Sequence, residues 1–464
     1  MKKIALFIAA LLFSTFFYDQ SIGLNLFLFS LLTVVILFIN NQTHFKNRKT
    51  LVYTMAYLLT GLTIFFHSSA LSIIANIVAF FTLIGHLSEA KSSIYVTWLN
   101  GLYTTIAGFF HRNFASNDKT TTEETVKEKV VIDYLHWAKI ILIPTLIVIA
   151  FIALYKNGNP VFSEIIETID FGFINIQWLL VAGLGYYLFN NIYAPIEVKP
   201  ATELDLKTDN NLLKTEGFSI SKLKKENQLG IILIALLNAL IVMYLITDIV
   251  FLSSEQEIRA SLYSAQVHSG INALIASIVI AILILLNVFR GDLNFYEGNK
   301  TLKRLAFTWI ILNLLLVVSI VYKNSEYIYY FGLTYKRIGV LVYLILASIG
   351  LITTLLKISS IKNNWYLFRI NTQVAFAILI LSSSINWDHQ ITKFNFNYAQ
   401  SMDLKYLIDL SNNNTLLLSE HLGDKTLERD EIRLIKSKFD TYSYQLSTNT
   451  WQELKYDNFK LKTK

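Results

Sequence analysis

Apolar stretches about as long as a bilayer is thick follow one another from Ile4 to about Ile385 of this 464-residue chain. A helix needs about 20 apolar residues to cross a hydrocarbon core of ~30 Å, and ~17 can suffice. Gly230–Phe251 and Gly270–Asn287 reach that length without a Lys or Arg inside. The sequence therefore reads as an all-α, polytopic transmembrane helix bundle over 1–385, followed by a small helical extramembrane tail over 386–464. Composition agrees: 54% of residues are hydrophobic and only 16% charged, where soluble domains carry about a quarter. The absence of cysteine rules out disulfides, thiolate catalysis and Cys-ligated metals.

The expected spans are 4–18, 22–39, 51–66, 69–86, 94–110, 138–155, 174–192, 230–251, 270–288, 305–322, 338–356 and 365–385. The start imitates a signal peptide, but no small-residue cleavage site follows the apolar run. It reads as an uncleaved helix with a hairpin turn near Asp19–Gly23. The stretch Tyr95–Phe110 is the most polar of the twelve, with Thr97, Asn100, Gly101, Thr104, Thr105 and Gly108.

Lys and Arg accumulate in cytoplasmic loops, and here they concentrate in 40–50, 111–137, 194–229 and 289–304. All four fall on one side only if Tyr95–Phe110 is re-entrant or interfacial. That gives eleven spans, a cytoplasmic N-terminus and an extracytoplasmic C-terminus. Loop 323–337, with Lys323, Lys336 and Arg337, is a mild exception. Val126, Val130 and Tyr134 recur every four residues after a capping-box spacing, which predicts an amphipathic helix in 111–137. The mixed charge of 194–229 reads as a flexible loop. In the tail, Leu404, Leu407, Ile408 and Leu410 predict one amphipathic helix, and Leu427, Ile432, Ile435 and Phe439 another.

No Walker loop, GxGxxG, HExxH or GxSxG is present. The eight histidines are scattered, so neither cofactor nor metal is expected. Ionisable and strongly polar groups inside apolar helices are the remaining candidates, because they are costly there and often functional. Asp248 is the clearest: a proton or cation site, or, as the plainer reading, a partly solvated acid at a helix end. His268 begins the next span at a similar depth and titrates near neutral pH, although a helix-end hydrogen bond is the plainer role. Asn238 and Asn313 lie near mid-membrane, where interhelical hydrogen bonding is their default. Arg369, one turn inside its span, is placed to snorkel to the interface.

Four stretches resemble bacterial polytopic membrane proteins of the domain-of-unknown-function families 4153 and 4173. They are Asn159–Phe162 (NPVF), Leu262–Gly270 (LYSAQVHSG), Phe331–Arg337 (FGLTYKR) and Asn395–Ser411 (NFNYAQSMDLKYLIDLS). The resemblance implies the bacterial cytoplasmic (inner) membrane and carries no catalytic or binding role to any position. Counting spans puts all four stretches on one side, which charge makes the outer one.

The preferred function is an envelope scaffold, sensor or assembly factor whose outer loops and tail form the interaction surface, with Arg337 and His268 beneath a tail lid. A proton- or ion-coupled transporter lined by Asp248, Asn238 and Asn313 is the alternative. An intramembrane enzyme acting on a lipid or glycan is less favoured, for want of paired acids or a nucleophile with its base. Expected partners are the lipid bilayer and an envelope protein, lipid or glycan. No nucleic acid is expected.

Overall fold

The computed structural model describes residues 2–118, 134–168, 175–214, 219–253, 256–423 and 427–461. No strand forms among them, only an isolated bridge between Asn211 and Lys362. The chain divides into two compact units, one of residues 1–19 and 107–191, the other of 20–106 and 192–464.

The first unit contains α1 (Lys2–Phe17), the end of α5 (Ile94–Asp118), α6 (Tyr134–Gly158), α7 (Pro160–Thr168) and almost all of α8 (Ile176–Ile192). Ser14 donates to the carbonyl of Trp178 at 2.6 Å. Gly185 lets Phe13 approach so closely that a Cβ there would sit 2.8 Å from its ring. The NPVF stretch is a helix start: Asn159 Oδ1 accepts from Val161 N at 2.9 Å, and Pro160 occupies the first helical position, where its missing N–H costs nothing. The amphipathic helix expected in 111–137 falls mostly outside the described residues.

The second unit holds α2 (Leu24–Asn41), α3 (Arg48–Phe66), α4 (Ala70–Ser88), the start of α5, α9 (Lys199–Lys207), α10 (Ile220–Leu252), α11 (Gln256–Val288), α12 (Lys300–Phe331), α13 (Tyr335–Ser359) and α14 (Asn364–Ser383). The tail adds α15 (Trp387–Tyr398), α16 (Leu404–Asp409), α17 (Thr415–Glu420), α18 (Arg429–Thr448) and α19 (Tyr456–Leu461). Among the described residues, seven helices are long and apolar enough to cross a membrane: α2, α3, α4, α10, α12, α13 and α14. Their core runs along α10–α13 through Ile234, Ile278, Leu285, Leu302, Ile310 and Leu351, all buried.

The polarity of Tyr95–Phe110 has a packing origin. The segment lies within one continuous helix, α5, with no break of the kind a re-entrant loop requires. A Cβ on Gly85 would meet the carbonyl of Thr97, and one on Gly101 the carbonyl of Phe81, so the glycines let α4 and α5 touch backbone to backbone. Asn100 and Thr104 bind the chain that follows α8: Val198 N donates to Asn100 Oδ1 at 2.9 Å, and Ile196 N to Thr104 Oγ1 at 3.0 Å. The expectation of a flexible loop over 194–229 is corrected by the same contacts. Its described first part is a clasp of α9 and flanking extended chain, ordered by side chains that looked merely too polar for a span.

Loop 323–337 is also corrected. The helix α12 runs on to Phe331, leaving only Gly332–Thr334 as connection. Lys323 is therefore a helix residue.

Candidate functional site

The two ends of the second unit differ in chemistry. At one end lie α9 and the basic connections 40–50 and 289–304. Arg369, near the start of α14, donates to the Asp205 carboxylate at 3.0 Å, to the Asp205 and Thr208 carbonyls at 2.6 and 2.9 Å, and to Asn210 Oδ1 at 2.6 Å. Ser93 N and the Tyr95 hydroxyl complete the shell of Asp205, at 2.7 and 2.9 Å. Burial pushes this carboxyl up, but the bonds from Ser93 N–H, Arg369 and Tyr95 outweigh it and hold it below the ordinary carboxylate value. Arg369 ends on protein partners rather than in water, where a snorkelling side chain would end. This end is a latch.

At the other end the tail is fastened to the bundle by the stretches that carry the family resemblance. Asn395 grips the α12–α13 connection with its side-chain amide: Oδ1 accepts from Leu333 N, and Nδ2 donates to the Leu333 carbonyl at 3.0 Å. Gln400 N and Ser401 N donate to the carbonyls of Tyr329 and Tyr330 at 3.2 and 3.0 Å. Tyr335 N donates to the Tyr406 hydroxyl at 3.0 Å. Gly332 has φ +79°, and a Cβ on it would lie 2.5 Å from Asn395 Oδ1. Backbone sterics and the close approach both demand glycine there. Asp388, 2% exposed, accepts from the Tyr335 hydroxyl at 2.7 Å and from the Ser411 hydroxyl.

The tail core is completed by the bundle: Ile391, Leu404, Leu407, Leu418 and Ile435 pack with Ile338 of α13. Beneath the tail turn, Lys438 Nζ donates to the carbonyls of Ile408 and Leu410 at 2.7 Å each, and to Asn414 Oδ1 at 3.1 Å. Desolvation pushes its ammonium down to about 8.

Between this cap and the α3–α4 connection opens a cleft of about 400 Å³. Leu416, Leu417, Phe66 and Tyr456 supply apolar wall, and His67, His389, Glu420, Asp457 and Lys460 supply titratable groups. Burial lowers both imidazoles, so each is neutral at pH 7, while desolvation raises the Asp457 carboxyl. The Tyr442 hydroxyl donates to Asp457 at 3.0 Å, and His67 Nε2 lies 3.3 Å from the Ser383 carbonyl. Among the described residues no group of three or more His, Asp or Glu is arranged to hold a metal ion. The cleft offers hydrogen bonds of both senses and both signs of charge beside an apolar surface, which suits an amphipathic or zwitterionic group.

The residues singled out from sequence do not converge there. Asp248 is only 6% exposed and pairs with Lys323 Nζ, with the Ser319 hydroxyl as a further donor. It is a buried ion pair between α10 and α12 rather than a solvated helix end. Arg337 donates to the carbonyls of Phe331 (2.8 Å) and Gly332, and stacks 4.1 Å over the Tyr327 ring. Asn324 Nδ2 donates to the Arg337 carbonyl at 3.2 Å, so the C-terminal part of α12 touches both Asp248 and Arg337. Asn238 Nδ2 donates across helices to the Leu305 carbonyl at 3.0 Å, with Oδ1 left unpartnered. Asn313 bonds only its own helix, at the Trp309 carbonyl, 2.8 Å away. His268 lies within α11, and its side chain falls outside the described residues.

Sequence reasoning missed Asp205, Asp388, His67, His389, Asp457 and Lys357. The last is 1% exposed and donates to the Phe289 carbonyl at 2.8 Å. Each sits at a helix end or in a connection, where a polar residue attracts no notice. The only signal was indirect: Tyr335 and Ser411 on Asp388 belong to the two most specific resemblance stretches.

This is a polytopic helical membrane protein with a helical cap fastened at one end of its bundle. The family profile described as Domain of unknown function (DUF4153) matches residues 4–421, and the chain belongs to that family. The match carries the 4153 part of the resemblance and gives the 4173 part no support. No curated protein and no solved structure matches the chain.

Proposed function

We propose that the protein is a scaffold or sensor of the bacterial inner membrane, with its N-terminus cytoplasmic and its C-terminal cap outside, and that the cap cleft is its interaction surface. The observation that carries this reading is the cleft itself. Its walls come from both the cap and the bundle, and five titratable side chains line it, whereas at the opposite end Arg369 and Asp205 are bonded to each other. An envelope protein, or the polar part of a lipid or glycan, is the class of partner that fits. Within the second unit the basic connections 40–50 and 289–304 and the described start of 194–229 sit at the end away from the cap, which supports the orientation.

The buried Asp248–Lys323 pair favours proton- or ion-coupled transport as the second reading, since intramembrane pairs often mark ion paths. Reconstitution in proteoliposomes with an entrapped pH dye separates the two. The scaffold reading expects wild type and Asp248→Asn to leak protons equally under an imposed gradient. A photo-crosslinker at Leu417 in intact cells should form a defined adduct that Lys460→Glu abolishes. Flux that depends on Asp248, with no such adduct, supports the transporter instead.

A further inference from the structure

A second concave feature lies at the latch end, on the side wall of the second unit. The helix α13 packs against both α11 and α14, and between those two it forms the floor of a groove of about 620 Å³. The groove keeps its depth there because Gly350 has no side chain; a Cβ would stand 3.4 Å from Ile282 Cδ1. Leu286 and Phe368 wall the groove. Leu283 is 57% and Phe368 58% exposed, so the groove opens sideways, toward the acyl chains that surround any such bundle.

Its polar groups are gathered at one end. Ile282 lies two helical turns, roughly 12 Å, deeper along α11 than Arg290. Arg290, Asn287 and Asn364 stand where α11 ends and α14 begins. Arg290 Nη1 donates to Asn287 Oδ1 at 3.1 Å, and no carboxylate among the described residues pairs with its guanidinium. The partial negative charge at the α11 C-terminus is met by another group: Lys357 donates to the Phe289 carbonyl from the buried side. Across the groove, Asn364 is the first residue of α14, whose cap Asn363 accepts from Tyr366 N. The N–H groups of Asn364 and Trp365 therefore lack an acceptor within the helix, and a helix N-terminus favours an anion.

We propose that this groove is a binding site for an anionic phospholipid of the leaflet at the basic end. The phosphate lies between Arg290 and the start of α14, and an acyl chain runs over Gly350 against Leu286 and Phe368. The apolar length joins the mouth at the depth where hydrocarbon gives way to headgroups, and the mouth carries a cation with a planar set of donors that match phosphate oxygens. This site is separate from the cap cleft and does not depend on how that cleft is read.

The test is native mass spectrometry and thermal unfolding of the full-length protein in mild detergent, with phosphatidylglycerol, phosphatidylcholine or inorganic phosphate added. Wild type should bind phosphatidylglycerol and gain stability from it well beyond phosphatidylcholine. Arg290→Gln should weaken that preference by about tenfold. Lys300→Gln, which removes an exposed cation at the same end, should leave it intact. Gly350→Leu should reduce binding of both lipids by filling the groove while the protein stays monodisperse. Equal binding of the two lipids by wild type, an undiminished preference in Arg290→Gln, or stabilisation by inorganic phosphate alone would overturn the proposal.

Discussion

The two ends of the second unit are both held by buried polar groups, but to different effect. At the latch end Arg369 and Asp205 satisfy each other, and further bonds run to backbone carbonyls and to Ser93 and Tyr95. At the cap end the fastening is done by Asn395, Tyr406 and Asp388, leaving His67, His389, Glu420, Asp457 and Lys460 around a cleft. Closed bonding gives rigidity, and titratable groups gathered at an opening give chemistry. The contrast supports the proposal that recognition lies at the cap, with the latch giving mechanical security.

The largest expected effect attacks the latch. Arg369→Ala leaves Asp205 buried without its counter-charge, and removing one partner of such a pair costs about 3–5 kcal/mol. Thermal unfolding in detergent should show a large fall, which Asp205→Asn in the same chain partly reverses. A negligible shift would mean that this end is not closed as described. Next comes the cap joint. Gly332→Ala puts a Cβ against Asn395 in a backbone conformation that disfavours it, and should cost about 1–3 kcal/mol. Limited proteolysis should then release the cap while the bundle resists, whereas uniform protection would break the comparison.

A third test uses acidity. Burial holds His67 and His389 below the ordinary imidazole value of about 6.5 in the folded state, so the unfolded chain binds protons first as pH falls. Their contribution is complete above about 6.5 and is lost progressively through the lowered folded values. Cap protection should therefore weaken from pH 7 toward pH 5, and weaken less in the His67→Gln, His389→Gln double variant. The smallest effect is a control: the Lys207–Glu203 pair is exposed, and Lys207→Ala should change stability by less than about 0.5 kcal/mol.

The bundle was legible because a helical span is written in one uninterrupted stretch of sequence. The spans expected at 22–39, 51–66, 69–86, 230–251, 305–322, 338–356 and 365–385 each coincide, to within two residues at the ends where they overrun, with one of the seven long apolar helices. Polarity inside a span was harder to read. Asn100 and Thr104 were read as grounds against crossing, and α5 is not among the seven helices apolar enough to cross; what the sequence hid is that both side chains bind residues 196–202, nearly a hundred positions away. Lys323 looked like a loop residue because its partner, Asp248, is 75 positions distant. Leu404, Leu407 and Ile435 were legible as tail core from their spacing, and all three are buried. Ile338, which completes that core, belongs to a span and gave no sign of it. The cleft was hidden for the same reason, since its groups come from the α3–α4 connection and from three separate tail helices.

The most direct test of the account sets the two ends against each other in living cells. The chain has no cysteine, so two engineered pairs have a clean background. One pair replaces Tyr330 and Ser401, which meet through a backbone hydrogen bond of 3.0 Å at the cap joint. The other replaces Asn211 and Lys362, the bridged residues of the latch. Disulfides form outside the cytoplasm and are kept reduced within it. The account predicts that the cap pair oxidises spontaneously in intact cells while the latch pair stays reduced until an oxidant is added to lysed membranes. A latch pair oxidised in cells beside a reduced cap pair would contradict it, and so would a cap pair that fails to close even under added oxidant.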